Sequence, residues 1–301
     1  MECKKVPWKK IIRYRGIYLM ILPVLLYFIV FSVYPLLLGI LSSFQNVKLM
    51  GNSEFVGLKN YISIFRDRQF RQAFVNSLVI GLGTFAFQFV WGLLIALLLN
   101  EVRQKVFKSF FQTVTFIPYL LSWSVVGGLW ITILSPTGMV NAILRLIRGS
   151  AFVPVVFMSE ARYGRAVMIF TGAWKNSGYY AALFLAAIVA IDRSLYEAAL
   201  IDGATRLQQI TRVTIPMIVP TMKVVAVLSI MGVLRNFDQI FIMGNASINS
   251  EVQNLLVLIY EKGILQFQVG TANAAATMVL AATYLITTAV KKLLHYDRLY
   301  G

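Results

Sequence analysis

The chain has 301 residues, 58% of them hydrophobic and only 13% charged, whereas soluble domains carry roughly a quarter charged residues. Its 28 Lys and Arg outnumber its 12 Asp and Glu, for a net charge of +16. Such a balance excludes an ordinary soluble enzyme and points to an all-α integral membrane protein. One cysteine, Cys3, and one histidine, His295, leave no internal disulfide, no His/Cys zinc cluster and no triad that needs a second histidine.

A bilayer-spanning helix needs about 20 consecutive apolar residues. Six segments reach that length: Ile17 to Leu41, Phe74 to Leu99, Phe110 to Leu134, Ala166 to Ile191, Val224 to Met243 and Thr271 to Val290. The connections run to about thirty residues at most, too short for a separate domain of the usual minimum of roughly 50. The basic start MECKKVPWKKIIRYR is followed by an apolar stretch longer than the ~7–15 residues of a signal peptide, with no A-x-A-like cleavage site. It is therefore expected to lead into a permanent first span.

The basic residues flank the spans and form no stripe, which argues against nucleic acid and for the positive-inside rule. With both termini cytoplasmic, sixteen Lys and Arg fall inside and ten outside. The inside set comprises Lys4, Lys5, Lys9, Lys10, Arg13, Arg15, then Arg103, Lys105, Lys108, then Arg193, Arg206, Arg212, Lys223, and finally Lys291, Lys292 and Arg298. The expected organisation is a basic N-terminus over 1–16, a six-helix membrane domain over 17–294 with a cytoplasmic loop at 192–220, and a tail over 295–301.

Before the fourth span, Asn141 to Gly149 has the apolar spacing of a short surface helix in an outer loop. After that span comes EAALIDGATRLQQITRVTIP, from Glu197 to Pro216, a polar interruption in an apolar chain. Asp202-Gly203 is a turn dipeptide. Ser194 to Ile201 is expected to continue the fourth span up to that bend. Beyond it, Thr205 and Gln208 fit a capping box, opening a short helix from Arg206 to about Thr214 that stops before Pro216. Leu207, Ile210 and Val213 give it an apolar stripe, with Arg206, Gln209 and Arg212 facing elsewhere. A helix this short is marginal in water and must dock. Either a headgroup layer, its membrane lipid neighbour, or a cytoplasmic protein would serve.

Three charges lie inside spans, where they are costly and usually face a cavity or the protein interior: Lys175, Arg235 and Asp238. All three fall in the outer halves of their spans and are placed to meet. Two readings stay open: a local Arg235–Asp238 pair with Lys175 reaching outward, or a polar passage lined by these groups with Asn176, Asn236 and Gln239. In the second, Trp174, Tyr179, Tyr180, Trp123 and Trp130 supply ring faces to the passage, though Trp and Tyr are also common as anchors at membrane interfaces. The Ala- and Thr-rich sixth span has the small residues that permit close helix approach.

Glu197-Ala198-Ala199, Asp202-Gly203-Ala204 and Ile215-Pro216, at their spacing, resemble the EAA motif of permease subunits in ATP-binding-cassette importers. WKNSGYYAALFLAAIVAIDRSLYEAALIDGA from Trp174, FDQIFIM from Phe237 and PYLLSW from Pro118 are similar to the carbohydrate branch with the maltose-type permeases, within it the oligosaccharide and polysaccharide subgroup. The resemblance spans nearly the whole chain. It departs at Asn254, where the subgroup often has an acid. It implies the type I importer permease fold in a prokaryotic cell membrane, and import of oligosaccharides or glycans.

The partners implied are a second permease, commonly a different chain, two ATP-hydrolysing subunits and an extracellular substrate-binding protein, which the outer loop from Ser135 to Arg165 would contact. ATP and Mg would sit on the ATPase, since no G-x-x-x-x-G-K-[ST] occurs here; this chain would hold no cofactor or metal. Glu197 would brace the turn, Asp202 and Gly203 would shape it, and Leu207 and Ile210 would anchor the helix in the ATPase. The competing reading, an ion-driven secondary transporter, expects internal repeats and several intramembrane acids. This chain shows one such acid and no repeat.

Overall fold

The computed structural model describes residues 14–48, 52–149 and 151–295; the basic residues before Tyr14, Cys3 and the tail after His295 lie outside them. Among the described residues nearly all regular structure is helical, in two units, 1–64 with 262–277 and 65–261 with 278–301.

In the first unit, helix α1 (Arg15–Ser42) has no buried residue in its apolar window. It passes Pro35 through a π turn at Ile29–Val33, where the Tyr34 N–H donates to Ile29 O. A two-residue hairpin, β1 (Gln45–Asn46) against β2 (Glu54–Phe55), comes next, and Asn60 ties it by donating from Nδ2 to Ser43 O and Gln45 O. Helix α2 (Lys59–Arg66) leads out of this unit.

The second unit is built on α3 (Arg68–Glu101), which starts on an Asp67 cap, and α7 (Ala161–Val189), which lies along it. Around them run α4 (Lys105–Leu120), α5 (Trp123–Ile133), the surface helix α6 (Met139–Arg148), α8 (Arg193–Ile201), α9 (Arg206–Ile230), and the short α10 (Asp238–Met243), α11 (Asn249–Val252) and α12 (Leu255–Tyr260). Helix α13 (Val269–Leu293) contributes to both units. One apolar cluster joins Ile80, Met168, Ile240, Met243 and Val252. A second joins Ala96, Tyr180, Phe184, Ile188 and Val225.

Four described helices are long and apolar enough to cross a membrane: α1, α3, α9 and α13. A fifth span results if α4 and α5 count together. The expected fourth span is α7, 29 residues long, with Lys175, Asn176 and Ser177 at its middle.

Several expectations are corrected. The third span is not one helix: α4 and α5 meet at 102°. Pro118 weakens the last turn of α4, Leu121 is extended, and the Ser122 hydroxyl accepts from Val125 N to start α5. The fifth span does not run from Val224 to Met243. It begins at Arg206 and ends at Ile230, before turns at Gly232 and Arg235. The helix after the bend therefore does not stop before Pro216. A π turn over Ile210–Thr214 lets Ile215 N–H bond Ile210 O, and the proline enters in the first turn of the next α-helical segment, where its missing N–H costs nothing. Finally, α8 is not a continuation of α7. The chain breaks at Ala190 to Asp192, and the Asp192 carboxylate caps a new helix by accepting from Ser194 N at 2.9 Å.

Candidate functional site: a polar cavity and a coupling turn

Local rules build the coupling turn almost completely. Gly203 has φ +76°, a conformation that glycine takes freely and other residues resist. Its N–H and that of Ala204 close the end of α8 on Leu200 O and Ala199 O. Thr205 and Gln208 form the capping box, with Thr205 N donating to Gln208 Oε1 at 2.7 Å. Ser194 N–H holds the Asp192 carboxyl below its ordinary pKa. Leu200, Ile201 and Leu207 project outward, 57%, 87% and 70% exposed. Together they form an exposed apolar face, with Ile210 half-buried beside it.

Gln209, expected to face away with the arginines, is instead buried. It donates to Ala204 O and accepts from Arg206 Nη1 at 3.3 Å. Ile215 is half-buried and Pro216 exposed. Glu197 braces nothing: it is exposed and has no partner among the described residues. Its neighbours Ala198 and Ala199 leave that side of α8 open.

The three intramembrane charges do not come together. Lys175 is buried, and Nζ donates to Tyr119 O at 2.9 Å, with the Tyr119 and Trp123 rings each 5.5 Å from the ammonium. It thus satisfies a carbonyl at the C-terminal end of α4, where the helix dipole favours a cation. Arg235 and Asp238 are exposed and pair neither with each other nor with another described residue. Their i, i+3 spacing brings no contact because Asn236 and Phe237 lie outside any helix. Asn254 holds that irregular stretch: its amide donates to Asn236 O, and its Oδ1 caps α12 through Val257 N.

Of the remaining pathway candidates, Trp174 packs edge-on against Trp130 at 5.3 Å. Asn176, Tyr179, Asn236 and Gln239 line one cavity of about 300 Å³ between α3, α7 and α9. Its other polar wall joins Tyr180, expected from the sequence, to Thr84, Gln88 and Ser229, which were not. Gln88 Nε2 donates to the Tyr180 hydroxyl at 2.9 Å, and that hydroxyl meets Ser229 Oγ at 2.5 Å. Gln239 donates to Met168 O and Thr171 Oγ1 and accepts from Asn236. Two buried atoms of this wall, Thr84 Oγ1 and Gln88 Oε1, have no hydrogen-bond partner among the described residues. A signal for them exists in the sequence: Thr84 and Gln88 stand four apart, on one face of an otherwise apolar helix. Opposite them the Tyr119 and Tyr179 rings stack at 4.6 Å. The site is neutral, with aromatic faces and free hydroxyl and amide groups.

Residues 88–296 match the binding-protein-dependent transport system inner membrane component family. The chain is 35% identical over 284 residues to the polygalacturonan/rhamnogalacturonan transport system permease protein YteP of Bacillus subtilis (strain 168), covering 90% of this chain and 87% of that one. It is 29% identical to the arabinooligosaccharides transport system permease protein AraP of the same organism, over 92% and 87%. A chain in the crystal structure of a bacterial alginate ABC transporter with an alginate pentasaccharide-bound periplasmic protein superposes with a TM-score of 0.87 at 30% identity, over 95% and 96%. The chain therefore belongs to the family of binding-protein-dependent transport system inner membrane components, as a permease subunit of an ABC importer.

Proposed function

We propose that this chain forms half of the translocation pathway of an ATP-driven importer for oligosaccharides or longer glycans. The observation that carries the reading is the neutral cavity beside α7. Thr84 Oγ1 and Gln88 Oε1 are buried and unpartnered there, and buried polar atoms ordinarily have partners. Sugar hydroxyls both donate and accept, so they suit the amide and hydroxyl groups of this lining, while the stacked Tyr119 and Tyr179 rings suit the apolar face of a pyranose. Asn176, Asn236 and Gln239 extend the polar lining. Lys175 acts at one remove, by holding the α4 end on which Tyr119 stands. The polysaccharide and oligosaccharide names among the relatives support the same substrate class.

The exposed Leu200, Ile201 and Leu207, presented by the Gly203 turn, are the face that docks on a separate ATP-hydrolysing subunit on the cytoplasmic side. Glu197, Asp202 and Ala204 belong to the same contact, and the unpaired Glu197 faces the partner. Two ATPase subunits bind ATP and Mg, a second permease of different sequence completes the pathway, and an extracellular binding protein delivers the sugar.

The test is reconstitution of the intact complex with its binding protein in proteoliposomes. Uptake of the sugar bound by that protein is expected to require ATP. Gln88→Leu together with Thr84→Val is expected to lower uptake roughly tenfold per lost hydrogen bond without loss of assembly. Uptake that persists on an ion gradient without ATP would establish the secondary-transporter alternative.

A further inference from the structure

A second cavity, of about 380 Å³, lies under the coupling turn, where α3 ends and α4 and α8 begin. Its charged lining is Lys108, Arg193 and Arg206 against a single carboxylate, Glu101. Lys108 is half-buried, and neither it nor Arg193 has a hydrogen-bond or ion-pair partner for its side chain among the described residues. Arg206 reaches only the neutral Gln209 Oε1 at 3.3 Å. Neither Asp192, whose carboxylate caps α8 through Ser194 N–H, nor Glu197 lines the cavity. Lys108 also stands in the first turn of α4, the positive end of a 16-residue helix.

Three converging cations, one of them half-buried and unpaired, form a receptor for a compact dianion or monoanion with several acceptor oxygens. We infer that this cavity binds a phosphate group, presented by an anionic glycerophospholipid headgroup or as a free phosphate. The cavity borders Arg193 and Tyr196 of α8 and Arg206, Gln209 and Ile210 of α9. A bound phosphate would therefore clamp both arms of the coupling turn to the ends of α3 and α4. The inference rests on the proposed coupling role only for the side of the membrane on which the cavity opens.

Native mass spectrometry of the purified complex in detergent, after equilibration with phosphatidylglycerol or phosphatidylcholine, tests it. Retention of phosphatidylglycerol over phosphatidylcholine is expected. Lys108→Gln with Arg193→Gln should weaken it about 25-fold, at about fivefold per cation. Glu101→Gln should strengthen it about fivefold, a gain that a misfolded variant could not produce. Titration with sodium phosphate separates the sources: displacement of the lipid at millimolar concentration identifies a free-phosphate site, and charge-dependent lipid retention without displacement identifies a headgroup site. Equal retention of both lipids, or equal phosphatidylglycerol retention by the wild type and the double variant, with no phosphate binding, would overturn the inference. Loss of ATP-dependent uptake in a complex that still retains the lipid would count against the importer reading and leave this site standing.

Discussion

Lys175 is the residue whose role changes most between sequence and fold. A cation in an apolar segment reads as a pathway group, but its ammonium is spent on Tyr119 O and on the Tyr119 and Trp123 rings. It stabilises a sharp bend between two helices, one of whose ends would otherwise leave a carbonyl unpaired in hydrocarbon. Lys175→Met should lower the stability of the purified complex by about 1.5–3 kcal/mol, the value of a hydrogen bond to a charged group. An unchanged thermal midpoint would show that the bend holds without it. Gly203 is the second decisive residue. A Cβ there meets nothing within 4 Å, so only its backbone conformation is at stake. Gly203→Ala should cost about 1–2 kcal/mol in this turn and Gly203→Asn less, read as the fraction of complexes retaining ATPase after purification.

At the scale of elements, the coupling region is two helices with a glycine hinge between them, not a helix, a bend and a stop. The second helix runs without interruption from the exposed Leu207 into the apolar α9, through the π turn that accommodates Pro216. Under the proposed function this helix links the docking residue Leu207 to Ser229 at the cavity wall, about 33 Å along it at 1.5 Å per residue. Ile201→Asp with Leu207→Asp should abolish copurification of the ATPase while leaving expression and thermal stability of the permease unchanged. Both side chains are exposed in the chain itself. A drop in stability of the isolated permease would show that they pack within the chain instead.

For the whole second unit, the controlling contacts are close approaches that no linear pattern announces. At Gly178 of α7 a Cβ would lie 1.9 Å from Thr115 O of α4. Gly178→Ala must separate those helices and disturb the stacked Tyr119 and Tyr179; overpacking of this kind costs about 1–3 kcal/mol. The expected readout is a lower midpoint of thermal unfolding together with impaired uptake. Wild-type values of both would show that the helices can part without consequence. The membrane class, the approximate places of α1, α3, α7 and α13, the Gly203 turn and the Thr205–Gln208 box were legible in the chain. Each depends on composition or on neighbours within four residues, where backbone conformation and hydrogen bonding are set locally. The bend after Leu120, the early end of α9 at Ile230, the fate of Lys175 and the joining of Thr84, Gln88 and Ser229 to Tyr180 in one wall were not. These join residues far apart in sequence, with Gln88 and Tyr180 separated by 92 positions. Only packing of α3, α7 and α9 decides which buried polar atom finds a partner and which is left without one.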